Sequence, residues 1–355
     1  MESKRLPLLD AIRGLCILGV VMGHSYGISF IHYRYDAAGL KPLAEILTYG
    51  LAIRVPLLFW LSGLVNMLVI DKYVSGNGNT LGFLARRFIR LSPTWWLSIA
   101  FVMLVGSGAA LRQGLRLPIP SAVELICNLL YIPRVAGSDV IGGVAWTLCI
   151  EFQLYLLFAM TIAAIHKVTR DRRIQDLSMA VWIIASSVIC FYIAPNVIRT
   201  TWFVQHWPWF GLGIMSCLTI RRRIPQWMAI IMVAIVAIGQ YRLDAIPFAL
   251  IQWFGLLLIA VLSYQALDAK VWQHGRALKW LGDISYPYFL FHMQFNLHAH
   301  YLAGITDRLG LPIITVYIAT VLLPLLLAIA ITPLMNRIDR YLMARLFPRG
   351  AAAQP

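Results

Sequence analysis

The sequence predicts an all-α, polytopic membrane protein, a bundle of about ten transmembrane helices with both termini in the cytoplasm. Three observations carry the prediction. The chain is 60% hydrophobic and only 13% charged, with a mean hydropathy of +0.75. A soluble domain of 355 residues must face water over its whole outer layer and is not that apolar. Apolar runs of membrane-crossing length recur from Leu8 to Pro333, about 20 residues sufficing to cross the hydrocarbon core. Between them, Lys and Arg fall in clusters that alternate between heavy and light.

In order, the runs lie at 8–30, 46–70, 93–111, 145–166, 177–194, 206–220, 226–241, 246–266, 281–302 and 312–335. Asp10 and Arg13 interrupt the first, and no A-x-A site follows it, so a cleaved signal peptide is not expected. The runs at 206–220 and 226–241 are the shortest, a length tolerated where packing or bilayer thinning helps. With the N-terminus inside, the cytoplasmic segments carry twenty Lys and Arg and the outer loops eight, which sets the orientation. The chain reads as one integral-membrane domain over 1–355, with its spans within 8–335 and a basic cytoplasmic tail at 336–355. The longest outer loop, about 112–144, holds an apolar stretch, Ala122 to Ile132, too short to span. It is expected to lie in the interface or to re-enter the membrane over a cavity. No inverted internal repeat of the transporter kind is visible.

The net charge of +15 does not indicate a nucleic-acid partner, because the basic residues form no continuous surface; topology and attraction to anionic membrane lipid account for it. The five cysteines, Cys16, Cys127, Cys149, Cys190 and Cys217, are scattered and make no CxxC pair. Neither a disulfide framework nor a zinc site is read from them. His298 and His300 make an H-x-H pair without a visible third ligand, so no metal is expected.

Ionisable residues inside spans are costly and mark a cavity or pathway. Asp10, Arg13, His24, Arg54, Glu151 and His292 are of this kind. Arg13 and His24 stand eleven residues apart, so they differ by roughly 20° and share a helix face about 16 Å apart along the axis. Asp10, one turn before Arg13, is its expected ion-pair partner. Counting about 1.5 Å per residue puts His24 and Glu151 at one depth in the outer half and His292 near the midplane. An imidazole and a carboxylate at one level suit a general-base pair. Two plainer readings stand beside it: a histidine hydrogen-bonded between helices, and a structural pair of Glu151 with Arg54.

Five motifs resemble the acyltransferase type 3 family of integral-membrane acyltransferases. Leu9-Asp10-Ala11-Ile12-Arg13-Gly14 followed by His24 resembles its Arg-x10-His signature. Pro56-Leu57-Leu58-Phe59-Trp60-Leu61-Ser62-Gly63 is similar to its phenylalanine-rich run ending in Ser-Gly, and Arg87-Phe88-Ile89-Arg90-Leu91-Ser92-Pro93 to its Arg-x-x-Arg-x-x-Pro. Ala145 to Tyr155 resembles its Trp-[Ser/Thr]-Leu-x-x-Glu-x-x-x-Tyr block, and Leu281-Gly282-Asp283-Ile284-Ser285-Tyr286, with His292 beyond, its ninth-helix signature. Two departures touch the pocket: Arg54 stands where one subgroup tends to have histidine, and Leu58-Phe59-Trp60 replaces the phenylalanine run.

The resemblance implies transfer of an acyl group, commonly acetyl, from cytoplasmic acyl-CoA to a hydroxyl of a lipid-linked or exported glycan at the outer face of a bacterial inner membrane. Acyl-CoA is then a donor substrate, with no permanently bound cofactor. His24, Glu151 and Arg13 would be catalytic, His24 acting as general base or as acyl-accepting nucleophile. Arg86, Arg87 and Arg90 would hold the donor's phosphates, with Ser285 and Tyr286 on the donor side. Asp10, Arg54, Trp146, Tyr155 and His292 would line the channel or acceptor pocket. The chain runs only a short way past its last span, so no appended hydrolase-like domain is expected, and polysaccharide assembly proteins are a further class of partner. The rival from another class is a transporter or flippase of a glycan or lipid intermediate; a non-catalytic scaffold in an export complex is a third reading.

Overall fold

The computed structural model describes residues 7–27, 32–37, 54–74, 80–112, 119–193, 203–244 and 276–347, with 39, 42 and 114 singly. Regular structure among these residues is entirely helical. In chain order the α-helices are α1 Pro7–Gly27, α2 His32–Ala37, α3 Arg54–Val74, α4 Thr80–Arg112, α5 Ala122–Leu129, α6 Trp146–Val168, α7 Arg172–Val188, α8 Trp207–Ile220, α9 Gln226–Asp244, α10 Arg276–Leu297, α11 Ala299–Arg308 and α12 Ile314–Leu346. The described part of each expected span falls on helix, that at 281–302 broken at His298; 246–266 lies outside the described residues. Among the described residues, four helices can by length and composition cross a membrane: Thr80–Leu111, Trp146–Val168, Arg172–Tyr192 and Ile314–Leu346. Leu104, Met160, Ile230 and Leu326 are among many large apolar side chains left exposed, a surface suited to lipid and not to water.

Boundaries differ from expectation where polar helix continues an apolar run. α4 begins at Thr80 and α12 runs on to Leu346, so the first part of the expected tail is helix. At about 1.5 Å per residue, 33-residue helices reach roughly 50 Å and overrun a 30 Å core. The run expected at 281–302 begins instead at Arg276 and ends at Leu297, where His298 leaves helical geometry and caps α11.

The chain divides into two compact units. The first holds α3, the start of α4 to Ala85, and α6 from Thr147 through α9. Its centre is α8, buried from Trp207 to Thr219, as expected of a helix that is apolar all round. α3 crosses it backbone to backbone: a Cβ on Gly63 would lie 1.9 Å from the Phe210 carbonyl oxygen, and one on Gly213 1.9 Å from that of Trp60. Small residues at a helix contact allow this approach inside membranes. Indole N–H groups are satisfied between helices, Trp60 of α3 donating to Ser216 Oγ of α8 at 3.0 Å and Trp207 of α8 to Ser186 Oγ of α7 at 2.7 Å. Asp171 caps α7 by accepting from the Arg173 and Ile174 amides.

The second unit holds α1 from Asp10, α2, α4 from Arg86, α5, α10 from Ala277, α11 and α12. α1 and α10 run parallel and in register: Gly14 meets Leu281 and Gly282, and His24 meets His292. A Cβ on Gly14 would stand 2.8 Å from the Gly282 nitrogen, and one on Gly282 2.2 Å from the Asp10 carbonyl oxygen. α5 is started by a capping box in which Ser121 and Glu124 bond each other's backbone amides. The loop carrying α5 packs along α4: Trp95 donates to the Asn128 carbonyl at 2.8 Å and Ser92 meets the Tyr131 hydroxyl at 3.0 Å. Those contacts lie roughly 25–30 Å below the Arg112 end of α4. Asn128, wholly buried, ties the returning chain through Asp139 and Ile141, so irregular backbone is satisfied by protein. At the other end of the unit, Arg34 bonds Asp307 at 3.0 and 2.5 Å and holds its carboxyl below the usual range.

We predict that Gly282→Ala, forced into the α1 backbone, costs about 1–3 kcal/mol and lowers the melting temperature of the detergent-solubilised protein. Gly304→Ala, inside α11 with nothing within 4 Å of its Cβ, should hold or slightly raise it. Equal melting temperatures would show that the α1–α10 contact has slack.

Candidate active site

On α1, Arg13 and Asp10 form the expected ion pair at 2.6 Å. The same guanidinium nitrogen donates to the Gly282 carbonyl at 3.3 Å, and Arg13 Nε is buried without a hydrogen-bond partner. About a third of the arginine side chain is exposed, so it retains donors for another acceptor. Three turns further along, Nδ1 of His24 lies 2.9 Å from Nε2 of His292. The two rings are nearly parallel, 12° apart. His292 is wholly buried, and its Nδ1 lies 2.6 Å from the Phe289 carbonyl oxygen. The depth count that separated His24 from His292 began α10 five residues too late. From their true starts, Pro7 and Arg276, both rings come about 25 Å along their helices.

Two further polar groups flank the imidazoles. Ser25 follows His24, and Asn296 sits one turn beyond His292 on the same face of α10; both are wholly buried, and neither the Ser25 hydroxyl nor the Asn296 amide has a hydrogen-bond partner. Such groups are rare and costly in a bundle interior unless they serve a ligand. The His-x-x-x-Asn spacing was the available sequence signal for Asn296.

Glu151 belongs to the first unit. Its carboxylate accepts from Ser62 Oγ at 2.8 Å and from the Tyr155 hydroxyl. Ser62 also lies 3.2 Å from Tyr155, and its carbonyl is bonded by Asn66 at 2.8 Å. Among the described residues the partners of Glu151 are therefore hydroxyls, not Arg54, which opens α3 half-buried. Sequence reading did not single out Ser62 as a partner, although it closes the Ser-Gly motif of α3; the i, i+4 spacing of Glu151 and Tyr155 puts both on one face.

The arginines on the polar start of α4 also lie in the second unit. The Arg86 guanidinium sits 4.0 Å from the centroid of Phe347, a cation–π contact. Arg87 is half-buried and Arg90 exposed, with Asp339 of α12 within electrostatic reach of Arg90. The Tyr286 hydroxyl donates to the Leu91 carbonyl at 2.9 Å, and buried Ser285 to the Gly282 carbonyl at 2.7 Å, so both hydroxyls serve packing contacts. Arg134 stacks over Trp146 at 5.7 Å.

A helical membrane protein that holds an ion pair, paired imidazoles and a hydroxyl-bonded carboxylate among its helices is built for more than anchorage. The chain belongs to the acyltransferase type 3 family: the family profile, described as an acyltransferase domain, matches residues 6–333. It is a membrane acyltransferase. No curated protein and no solved structure matches it.

We predict that Ser62→Ala and Tyr155→Phe each cost about 1–2 kcal/mol of stability, and that the double variant costs less than their sum because the three groups share hydrogen bonds. Additive losses in chemical unfolding would separate the hydroxyls into independent contacts.

Proposed function

We propose that the protein transfers an acyl group, acetyl by preference, from cytoplasmic acyl-CoA to a hydroxyl of a lipid-linked or exported polysaccharide, working in a bacterial inner membrane with ten spans and both termini inside. The observation that carries the reading is the polar line of α1 against α10, from Asp10 and Arg13 to His24 and His292. It offers cationic donors at one level and a ring nitrogen for proton transfer about 16 Å further along.

Arg13, with Arg86, Arg87 and Arg90 on the second unit, holds donor phosphates through planar, charge-assisted hydrogen bonds. His24 takes the proton of the acceptor hydroxyl as its oxygen attacks the thioester carbonyl carbon. When the carbon–sulfur bond breaks, that proton passes to the sulfur, leaving an ester and free CoA. In the variant route His24 attacks the thioester carbonyl and the carbon–sulfur bond breaks to release CoA thiolate; the acceptor hydroxyl then attacks the acyl-imidazole, freeing His24 and giving its proton to the thiolate. Glu151, held by Ser62 and Tyr155, is the first unit's proposed catalytic carboxylate. Arg54, Trp146, Ser25 and Asn296 are proposed to serve the acceptor or its channel.

His24→Ala should lower acyl transfer by about 10²–10⁴-fold while the protein still inserts, read by mass spectrometry of surface polysaccharide from cells carrying each form. Loss of the ester mass increment with intact polymer is expected; loss of the polymer itself would indicate transport. Arg13→Lys should raise KM for acyl-CoA about tenfold, because lysine cannot reproduce the planar fork. An unchanged KM would remove Arg13 from the donor site.

A further inference from the structure

The protons of the imidazole pair can be assigned from their partners. A main-chain carbonyl only accepts, so the 2.6 Å contact between Phe289 O and His292 Nδ1 requires a proton on that nitrogen. His292 has no exposed surface, and among the described residues its polar contacts are this carbonyl and His24. A second proton on Nε2 would enclose an imidazolium with no carboxylate against it, a state that burial opposes strongly. Nε2 of His292 therefore bears a lone pair and accepts, at 2.9 Å, from a proton on Nδ1 of His24. In a neutral His24 so protonated, the ring's basic atom is Nε2.

We infer that His292 is a positioning residue: it holds His24 in the tautomer whose Nε2 is the base, through a relay that ends on the Phe289 carbonyl. The inference rests on the proposed role of His24 as base. It assigns to a neutral histidine the orienting part that a carboxylate takes in serine hydrolases. During transfer, the hydroxyl proton arrives on His24 Nε2 and leaves from it to sulfur. The Nδ1 proton stays in its bond to His292 throughout, and His292 keeps its own proton on the Phe289 carbonyl. No proton has to enter the buried ring.

The relay depends on the parallel register of α1 and α10. Gly14 and Gly282 bring the backbones together, and ten residues further along both helices the rings meet edge to edge. A residue at 292 that accepts a hydrogen bond at the same place should preserve the function. One that fills the same space without an acceptor should not.

The experiment uses full-length protein in lipid nanodiscs with ¹⁵N-labelled histidine, the His24 signals being assigned by their loss in His24→Ala. NMR of the wild type should show Nδ1 protonated and Nε2 bare. In His292→Phe the tautomers should mix, and His292→Gln, whose Oε1 can accept, should restore the wild-type pattern. In parallel, His292→Phe should lower kcat by about 10²-fold with KM for acyl-CoA unchanged, and His292→Gln should recover about tenfold of that loss. A wild-type His24 protonated on Nε2 would overturn the inference without any variant. So would Phe and Gln variants that are alike in both measurements. If His24→Ala retained turnover, the base reading of His24 would fall, while the NMR comparison would still decide whether His292 sets its tautomer.

Discussion

Backbone contact between α1 and α10 at Gly14 and Gly282 is the constraint on which the second unit's chemistry depends. Lipid gives helices no hydrophobic reason to associate, so close packing of small residues and interhelical hydrogen bonds must hold them. Here each does so at its own level. Glycine lets the helices touch where Arg13 reaches across to the Gly282 carbonyl, and the shared register then delivers His24 onto His292. A larger side chain at either glycine would move both polar levels at once, because both ride on the same pair of helices.

The first unit solves the same problem with the same device. Gly63 and Gly213 press α3 against α8, and the residue preceding Gly63 is Ser62, donor to Glu151. A carboxylate in a membrane interior needs compensation, and hydroxyl donors supply it without fixing a countercharge.

Much of this was legible from residue order. Asp10 and Arg13, one turn apart, pair as helix geometry requires, and the eleven-residue interval to His24 defines one face of α1. The resemblance in five short motifs agrees with the family match over residues 6–333. The partner of His24 was not legible. Depth counted from the edge of an apolar run set His292 at a different level from His24, because α10 starts five residues earlier in polar sequence. That the loop carrying α5 packs on α4 was not legible either, since periodicity does not report which neighbour a short apolar helix meets. The buried Ser25 and Asn296 went unnoticed, because a polar residue in a span looks the same in sequence whether or not it has a partner.

By itself the sequence determined that this chain is a helical membrane protein, where most of its helices run and which side chains are too costly to be accidental. Those properties follow from transfer free energies and helical repeat, which are local. Only the tertiary structure decided which costly groups compensate one another: imidazole with imidazole, carboxylate with two hydroxyls, arginine with a carbonyl 269 residues away. Such pairings depend on backbone approach at particular glycines, and approach is a property of two helices together that neither contains alone.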